Sequence, residues 1–496
     1  MSLSEKRMQR RLLEAGGLVA GLVGVLASLL PMQAQALPIF ARQTGQNCVA
    51  CHAGGQFPEL TPYGRLFKLT GYTMGARTIP FAVMAVANGA SVANTSKSDD
   101  PNADFQKNGK LVFSSASLFI GGKVTDNIGL FSQITYDAYA SQDENGNFHG
   151  HSSADNIDLR YADRFIDAKQ DLIFGFSMNN NPSVTDPWNT AAAWMQYVPP
   201  ASLTSHQFSD GATPFPGFDA AGSALAGFNA YAFWNKTVYA DVGVYGTANH
   251  AFANLHAGTG PSDVQNLKGW NPYWRLALTR EWGAHNIMVG TTGMVAHAYD
   301  LGSDTSDPNN LGSYRNLGID AQYQYLLDPH SITLQAAFMR EKQAHSVNSM
   351  AASPYYLADG VTPVAAPNSS DTDNIFRLKA SYIYQAKYGG SLAFFNKTGS
   401  TNTLNQTSGY DSSGQITSTD PNETGITSLR VNGSLSGNPA TRGMTYEAFW
   451  LPLQYVRVGL QYTTYSKFNG AGTNYDGFGR NARDNNTLFG YIWFAY

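Results

Sequence analysis

The chain has 496 residues and a net charge of −4, from 32 Lys and Arg against 36 Asp and Glu, a balance that points away from any nucleic-acid partner. Charged residues make up 14% of it and aromatics 12%, with 49 glycines, where an ordinary soluble protein carries about 25% charged residues. After residue 36 there is no apolar run of about 18 residues, which excludes helical membrane spans and leaves a soluble all-β protein or a transmembrane β-barrel.

The first element, residues 1–36, reads as a secretory signal peptide. Lys6, Arg7, Arg10 and Arg11 precede an apolar run from Leu18 to Leu30, followed by Ala34-Gln35-Ala36, an A-x-A cleavage pattern that places the mature start at Leu37. A membrane anchor is the competing reading, but the run is shorter than the ~20 residues a spanning helix needs and Pro31 breaks it.

Residues 37–77 form the second element and contain both cysteines of the chain, in Cys48-Val49-Ala50-Cys51-His52. Two thiols three positions apart can add to both haem vinyl groups while the next side chain reaches the iron, the C-x-x-C-H pattern of c-type haem attachment. A zinc site would need two more ligands, and neither Cys nor His occurs between His52 and His149. A redox dithiol would call for a βαβ setting, which the Gly-, Pro- and Thr-rich surroundings do not offer. The cofactor expected is therefore one covalently bound haem c, with Cys48 and Cys51 as thioether positions and His52 as an axial ligand. In a secreted chain this places the protein in a Gram-negative periplasm or outer membrane.

From residue 78 to the end, apolar and polar residues alternate with period two. Leu317, Ile319, Ala321, Tyr323 and Tyr325 share one face, with Gly318, Asp320, Gln322 and Gln324 on the other; Phe376, Leu378, Ala380 and Tyr382 oppose Arg377, Lys379 and Ser381. The pattern predicts strands near 78–92, 110–124, 129–140, 156–165, 171–180, 224–235, 237–248, 272–282, 285–300, 314–327, 330–343, 373–386, 391–399, 443–451, 454–468 and 485–496, sixteen in all. Their connections alternate between short turns and long loops, as in outer-membrane barrels of even strand number. The last strand, LFGYIWFAY, ends on an aromatic residue as such barrels do. A soluble β-sandwich or propeller is the alternative, but it needs neither the alternation nor that ending.

The expected architecture is thus an all-β, 16-stranded transmembrane outer-membrane β-barrel over residues 78–496, porin-like, preceded by a short haem segment. A segment of about 40 residues rarely builds its own core. The missing wall should come from the barrel, whose lumen is expected to receive Asp158, Arg160, Arg275, Asp320, Lys379 and Arg457. The haem segment is accordingly expected to sit in the barrel mouth or lumen as a plug. An even strand count also puts both barrel termini on the periplasmic side, with the long loops facing the exterior.

The stretches LPIFARQTGQNCVACH and FPELTPYGRLFKLTGYTMG, with a motif match over residues 38–75, resemble the monohaem cytochrome–porin fusions of iron-oxidising bacteria. The remainder of the chain agrees with that family in size, strand count and ending. The resemblance implies an outer-membrane c-type cytochrome that takes electrons from extracellular Fe(II) and passes them through its haem to a periplasmic cytochrome or copper protein. It carries Cys48, Cys51 and His52 over as haem ligands and leaves the sixth iron position open. Met74, in the GYTMG motif, is a candidate there, since methionine opposite histidine raises the reduction potential. Packing of Met74 or Met84 at the haem edge or in the barrel wall is the competing reading, and His297 is another candidate. Arg42, Arg65 and Lys68 could pair with haem propionates or simply face lumen or solvent.

For iron itself, Asp99, Asp100 and Asp104 in 93–109 and His149 and His151 in 141–155 offer suitable donors. Such residues also dominate ordinary solvated loops. A general electron conduit for another extracellular donor or acceptor, and a passive diffusion porin with a structural haem, stay beside the iron reading.

Overall fold

A computed structural model of the chain describes residues 38–55, 59–94, 111–142, 148–190, 225–248, 265–351, 367–405, 434–477 and 479–496. The signal peptide reading of 1–36 and the aspartates of 93–109 lie outside these residues.

Sixteen strands close into one antiparallel barrel. They are β1 Phe81–Val92, β2 Leu111–Lys123, β3 Ile128–Gln142, β4 Phe148–Ile166, β5 Asp171–Asn179, β6 Leu225–Trp234, β7 Val238–Thr247 and β8 Asn271–Trp282. The second half comprises β9 His285–Tyr299, β10 Leu311–Leu327, β11 His330–Ala344, β12 Ser370–Tyr384, β13 Tyr388–Gly399, β14 Thr441–Leu453, β15 Val456–Lys467 and β16 Thr487–Ala495. Each strand pairs with its neighbours in sequence, and β1 closes on β16 from Met84↔Ala495 to Val92↔Thr487.

The alternation read in the sequence decides which side chains face out. On β10, Leu317 and Ile319 are 52% and 57% exposed while Asp320, Gln322 and Gln324 are buried; on β12, Phe376, Leu378 and Tyr382 point outward and Arg377 and Lys379 inward. An apolar outer belt over a polar interior is the arrangement of a membrane-spanning barrel, and closure leaves no strand edge unpaired in lipid. Among the described residues no helix is long and apolar enough to cross a membrane.

The connections β2–β3, β4–β5, β6–β7, β8–β9, β10–β11, β12–β13 and β14–β15 are tight turns, and both ends of the barrel lie on the same rim as these. The β6–β7 turn places Asn235 and Lys236 at φ 49° and 52°, and the β12–β13 turn places Gln385 and Ala386 at 54° and 51°. Paired positive φ values of this kind match the twist of a two-residue hairpin turn.

All sixteen expected strands are present. The largest difference concerns 141–155, expected as a loop: β4 begins at Phe148, so His149 and His151 lie in a strand, opposite Ser141 and Asp137 of β3, and both are exposed.

Further elements pack against part of the inner wall. Among the described residues three short helices precede β1: α1 Pro38–Thr44, α2 Cys48–Cys51 and α3 Pro62–Leu69. They pack against inward-facing residues near the short-turn rim. Ile39 and Phe40 of α1 join Ala82, Phe119 and Phe131 of β1–β3. Leu69 of α3 joins Ile173, Tyr231, Tyr239 and Met288 of β5–β9. The β5–β6 connection contributes a second inner element, residues 180–190, in which Pro182, Asp186 and Trp188 are buried.

Candidate cofactor site

The Cys-x-x-Cys-His turn is built from local sequence signals. Asn47 takes extended φ/ψ ahead of α2, and one helical turn carries Cys48 and Cys51 before His52 returns to extended backbone. The turn is then fastened to the start of α3. Thr61 N–H donates to the Cys51 carbonyl at 2.9 Å, Thr61 Oγ1 donates to the Ala50 carbonyl at 2.5 Å, and Ala53 N–H donates to the Glu59 carbonyl at 2.9 Å. Thr61 also N-caps α3 by accepting from Gly64 N–H at 3.1 Å, with Pro62 at the first helical position, where its missing N–H removes no helical bond. Gly64 permits this closeness: a Cβ there would stand 2.1 Å from the Cys51 carbonyl oxygen. At the other end of α3, Gly71 supplies the φ of 69° that stops the helix.

The barrel wall grips the segment through polar bonds. Lys379 Nζ lies 2.6 Å from Glu59 Oε1, both side chains 9% exposed. Gln454 Nε2, in the β14–β15 turn, donates to Cys48 Sγ at 3.0 Å. Arg65 donates to Asn286 Oδ1 and Gln324 Oε1, each at 3.1 Å, and Lys68 donates to the Asp186 carbonyl at 3.1 Å. Tyr72 OH donates to Asp158 Oδ2 at 2.6 Å, and Asp158 in turn takes Arg160 Nε at 2.6 Å. Each of these buried cations meets an acceptor, a carboxylate for Lys379 and Arg160 and neutral oxygens for Arg65 and Lys68.

Cys48 and Cys51 are not joined in a disulfide. Burial, then the Cys48 charge, pushes the Cys51 thiol up to about 11, and burial lowers the His52 imidazole to about 4 against the pull of Glu59. The site therefore offers two thiols on one helical turn, that of Cys51 held protonated, and an uncharged imidazole beside them. No group of three His, Cys, Asp or Glu able to hold a metal ion occurs among the described residues. This donor set fits haem c, with Cys48 and Cys51 for the vinyl groups and His52 for the iron, better than it fits zinc.

The other candidate positions separate. Met74 lies on the α1 side, where its carbonyl accepts from Gln43 Nε2 at 2.9 Å, whereas the turn after His52 lies against Ile383. Met84 packs into the wall beside Ile39 and Phe119. His297 is exposed on the outer face of β9, between the inward-facing Ala296 and Ala298, so it is withdrawn as an iron ligand. Arg65 and Lys68 are committed to the barrel wall and the inner β5–β6 element, and Arg42 donates to the Phe81 carbonyl at 2.5 Å. Sequence reasoning missed Glu59, Thr61 and Gln454 as supports of the turn. The Thr-Pro pair ahead of a helical stretch was the one available signal, as an N-cap followed by Pro at the first helical position.

No protein-family model and no curated protein matches the sequence. Solved structures do resemble the chain. A loop L8 deletion mutant of OmpT, an outer-membrane protein of Vibrio cholerae, aligns with TM-score 0.41 and 9% identity over 84% of this chain and 99% of that one. The outer-membrane channel DcaP of Acinetobacter baumannii gives 0.39 and 11% over 84% and 96%. An anion-selective porin from Comamonas acidovorans gives 0.39 and 11% over 84% and 99%.

Proposed function

We propose that the chain is an outer-membrane c-type cytochrome that accepts electrons from extracellular Fe(II) and delivers them to periplasmic carriers. The observation that carries this reading is the seating of the Cys48–His52 turn against the inner barrel wall, fixed through Glu59 to Lys379 and through Cys48 to Gln454. Haem, when bound, supplies a one-electron couple at that place. Each Fe(II) gives up one electron and leaves as Fe(III), and a periplasmic cytochrome or copper protein takes the electron on. The chain's own residues hold the cofactor turn rigid, keep His52 uncharged and surround the site with wall. In this reading the short-turn rim faces the periplasm and the long loops face the exterior. The segment then acts as a plug, and electrons rather than solutes cross.

A passive diffusion porin with a structural haem is the second reading, favoured by the closed 16-stranded barrel itself. A conduit serving another extracellular donor or acceptor would use the same residues. The test is an anaerobic mix of the oxidised, detergent-solubilised protein with Fe(II), following the visible haem bands, with Cys51→Ala as control. Prompt reduction supports the iron reading. Reduction by dithionite alone overturns it in favour of the other conduit or the porin.

A further inference from the structure

On the lipid-facing side of the barrel, one cation near the short-turn rim lacks a counter-ion. Arg280 of β8 is exposed in the outward row that also holds Leu276, Leu278 and Trp282, and its partner across the ladder is the exposed Ile287 of β9. Its guanidinium has no ion pair or hydrogen bond among the described residues. The neighbouring Glu281 does not serve it, because that side chain has the opposite parity and lies 3.8 Å from Arg65 inside the barrel. An arginine on the lipid face is costly within hydrocarbon and tolerable near the interface, where its long stem can carry the charge to an anion.

Beside Arg280, four rings are locked together. His285 stands opposite Trp282 and stacks on it, with centroids 5.4 Å apart and planes 13° from parallel, and Tyr325, its partner on β10, lies at 5.0 Å. Tyr323 OH is 2.7 Å from His285 Nδ1. Tyrosine and tryptophan at this depth are ordinary in membrane barrels. An imidazole oriented by three of them is not required for anchoring. The bond to Tyr323 commits Nδ1 and leaves Nε2 for a partner outside the protein. His330, with Tyr382 OH at 2.8 Å and Tyr384 opposite it, repeats the bond but has Tyr382 at the ladder position that Arg280 holds here.

We propose that Arg280, Trp282 and His285 hold the phosphate of a phospholipid headgroup, whose acyl chains then run along Leu278, Ile287 and Val289. The surface on which Arg280 sits faces the bilayer, so the anion that neutralises it comes from the membrane. A phosphodiester meets the chemistry: guanidinium pairs with phosphate through parallel N–H bonds, and the imidazole and indole N–H groups add donors. The choice of a phospholipid over the phosphates of lipid A rests on the reading above in which the short-turn rim faces the periplasm, where the leaflet is phospholipid. The haem reading does not enter.

The test uses the full-length, detergent-solubilised protein, titrated with dioleoylphosphatidylglycerol and followed by native mass spectrometry. Each variant is first checked for a heat-modifiable barrel. Wild type is expected to bind a phosphatidylglycerol roughly tenfold more tightly than Arg280→Gln or His285→Phe, the loss of one charge-assisted bond. His285→Phe keeps a ring in the stack, so its loss reports the nitrogen rather than the packing. Arg280→Lys should fall between, and His330→Phe should match wild type. Dioleoylglycerol, which lacks the phosphate, should bind wild type no better than it binds Arg280→Gln. Equal phosphatidylglycerol affinity in wild type and Arg280→Gln, or an equal loss in His330→Phe, overturns the headgroup site. Displacement of the lipid by millimolar inorganic phosphate makes this a free-anion site and overturns the lipid. Lipid A that binds more tightly than phosphatidylglycerol, and is lost in the same variants, overturns the phospholipid and the orientation of the rim together.

Discussion

Lys379 and Glu59, 320 positions apart in sequence, form a buried ion pair of 2.6 Å that ties the segment holding the Cys48–His52 turn to the barrel wall. The Glu59 carbonyl also accepts from Ala53 N–H, so the pair bears directly on the backbone that follows His52.

Replacing Lys379 with Met leaves the Glu59 carboxylate buried without its cation, and loss of one member of a buried pair costs about 3–5 kcal/mol. The expected outcome is loosening of residues 50–61 with the barrel intact. Hydrogen exchange should report faster exchange at the Ala53 and Thr61 amides, and Lys379→Met with Glu59→Gln should recover much of the protection. Unchanged exchange in Lys379→Met would mean that the pair does not anchor the segment.

Gly64→Ala drives a methyl group into the Cys51 carbonyl, a backbone atom that has no flexible side chain to swing away. Overpacking of this sort costs about 1–3 kcal/mol. The Thr61 bond to Cys51 should lengthen or break, seen as lost protection of the Thr61 amide and greater protease sensitivity of residues 45–64. Wild-type protection in this variant would show that α3 can shift without disturbing the cofactor turn.

The barrel was legible because lipid outside and polar lumen inside impose period two on nearly every strand. Leu317, Ile319, Asp320 and Gln322 all face as their alternation required. The pattern failed where both faces are polar: FHGHSSAD, the first half of β4, shows no alternation and reads as a loop. His297 was misplaced for a related reason, because in Met294–Tyr299 small and apolar residues occupy both faces and the inward parity is not evident. Cys48, Cys51 and His52 stood out as candidates because haem attachment would require that spacing. The inner element at 180–190 was not, since NNPSVTDPWNT has the composition of any surface turn. It is buried by distant charges: Arg275 reaches Asp186 at 3.3 Å and Asp320 at 2.5 Å, and Lys68 reaches the Asp186 carbonyl.

Lys68 gives the docking of α3 a pH dependence. Burial, joined by Arg160, lowers its ammonium from 10.5 to about 8, against the opposing pull of Asp158, Asp186 and Asp241. An undocked, solvated Lys68 keeps its proton up to the ordinary value, so between about 8 and 10.5 the undocked state binds more protons than the docked one. Docking is therefore expected to strengthen as pH rises through that window and to be weakest below it. Protection factors for the Thr70 amide, which donates to the Leu66 carbonyl, should rise over this range in wild type and stay flat in Lys68→Met. A flat wild-type profile would remove Lys68 as the titrating group.

Trp188 links α3 to the 180–190 element inside the wall. Its ring lies 5.8 Å from the Arg65 guanidinium of α3 and 5.8 Å from that of Arg275 on β8, and it meets Tyr239 edge-on at 5.5 Å. Truncation of so large a buried aromatic costs about 3–5 kcal/mol, and here the loss falls on the contact between 180–190 and α3 rather than on the strand ladder. Trp188→Ala should therefore leave a heat-modifiable barrel whose two inner elements no longer hold each other. In planar bilayers the expected result is low conductance for wild type and larger, fluctuating conductance for Trp188→Ala. Deletion of residues 38–77 should open the barrel further still. A wild-type channel that already conducts as freely as the deletion variant would favour the diffusion porin, since solutes would then be passing an interior that α3 and Trp188 are expected to close.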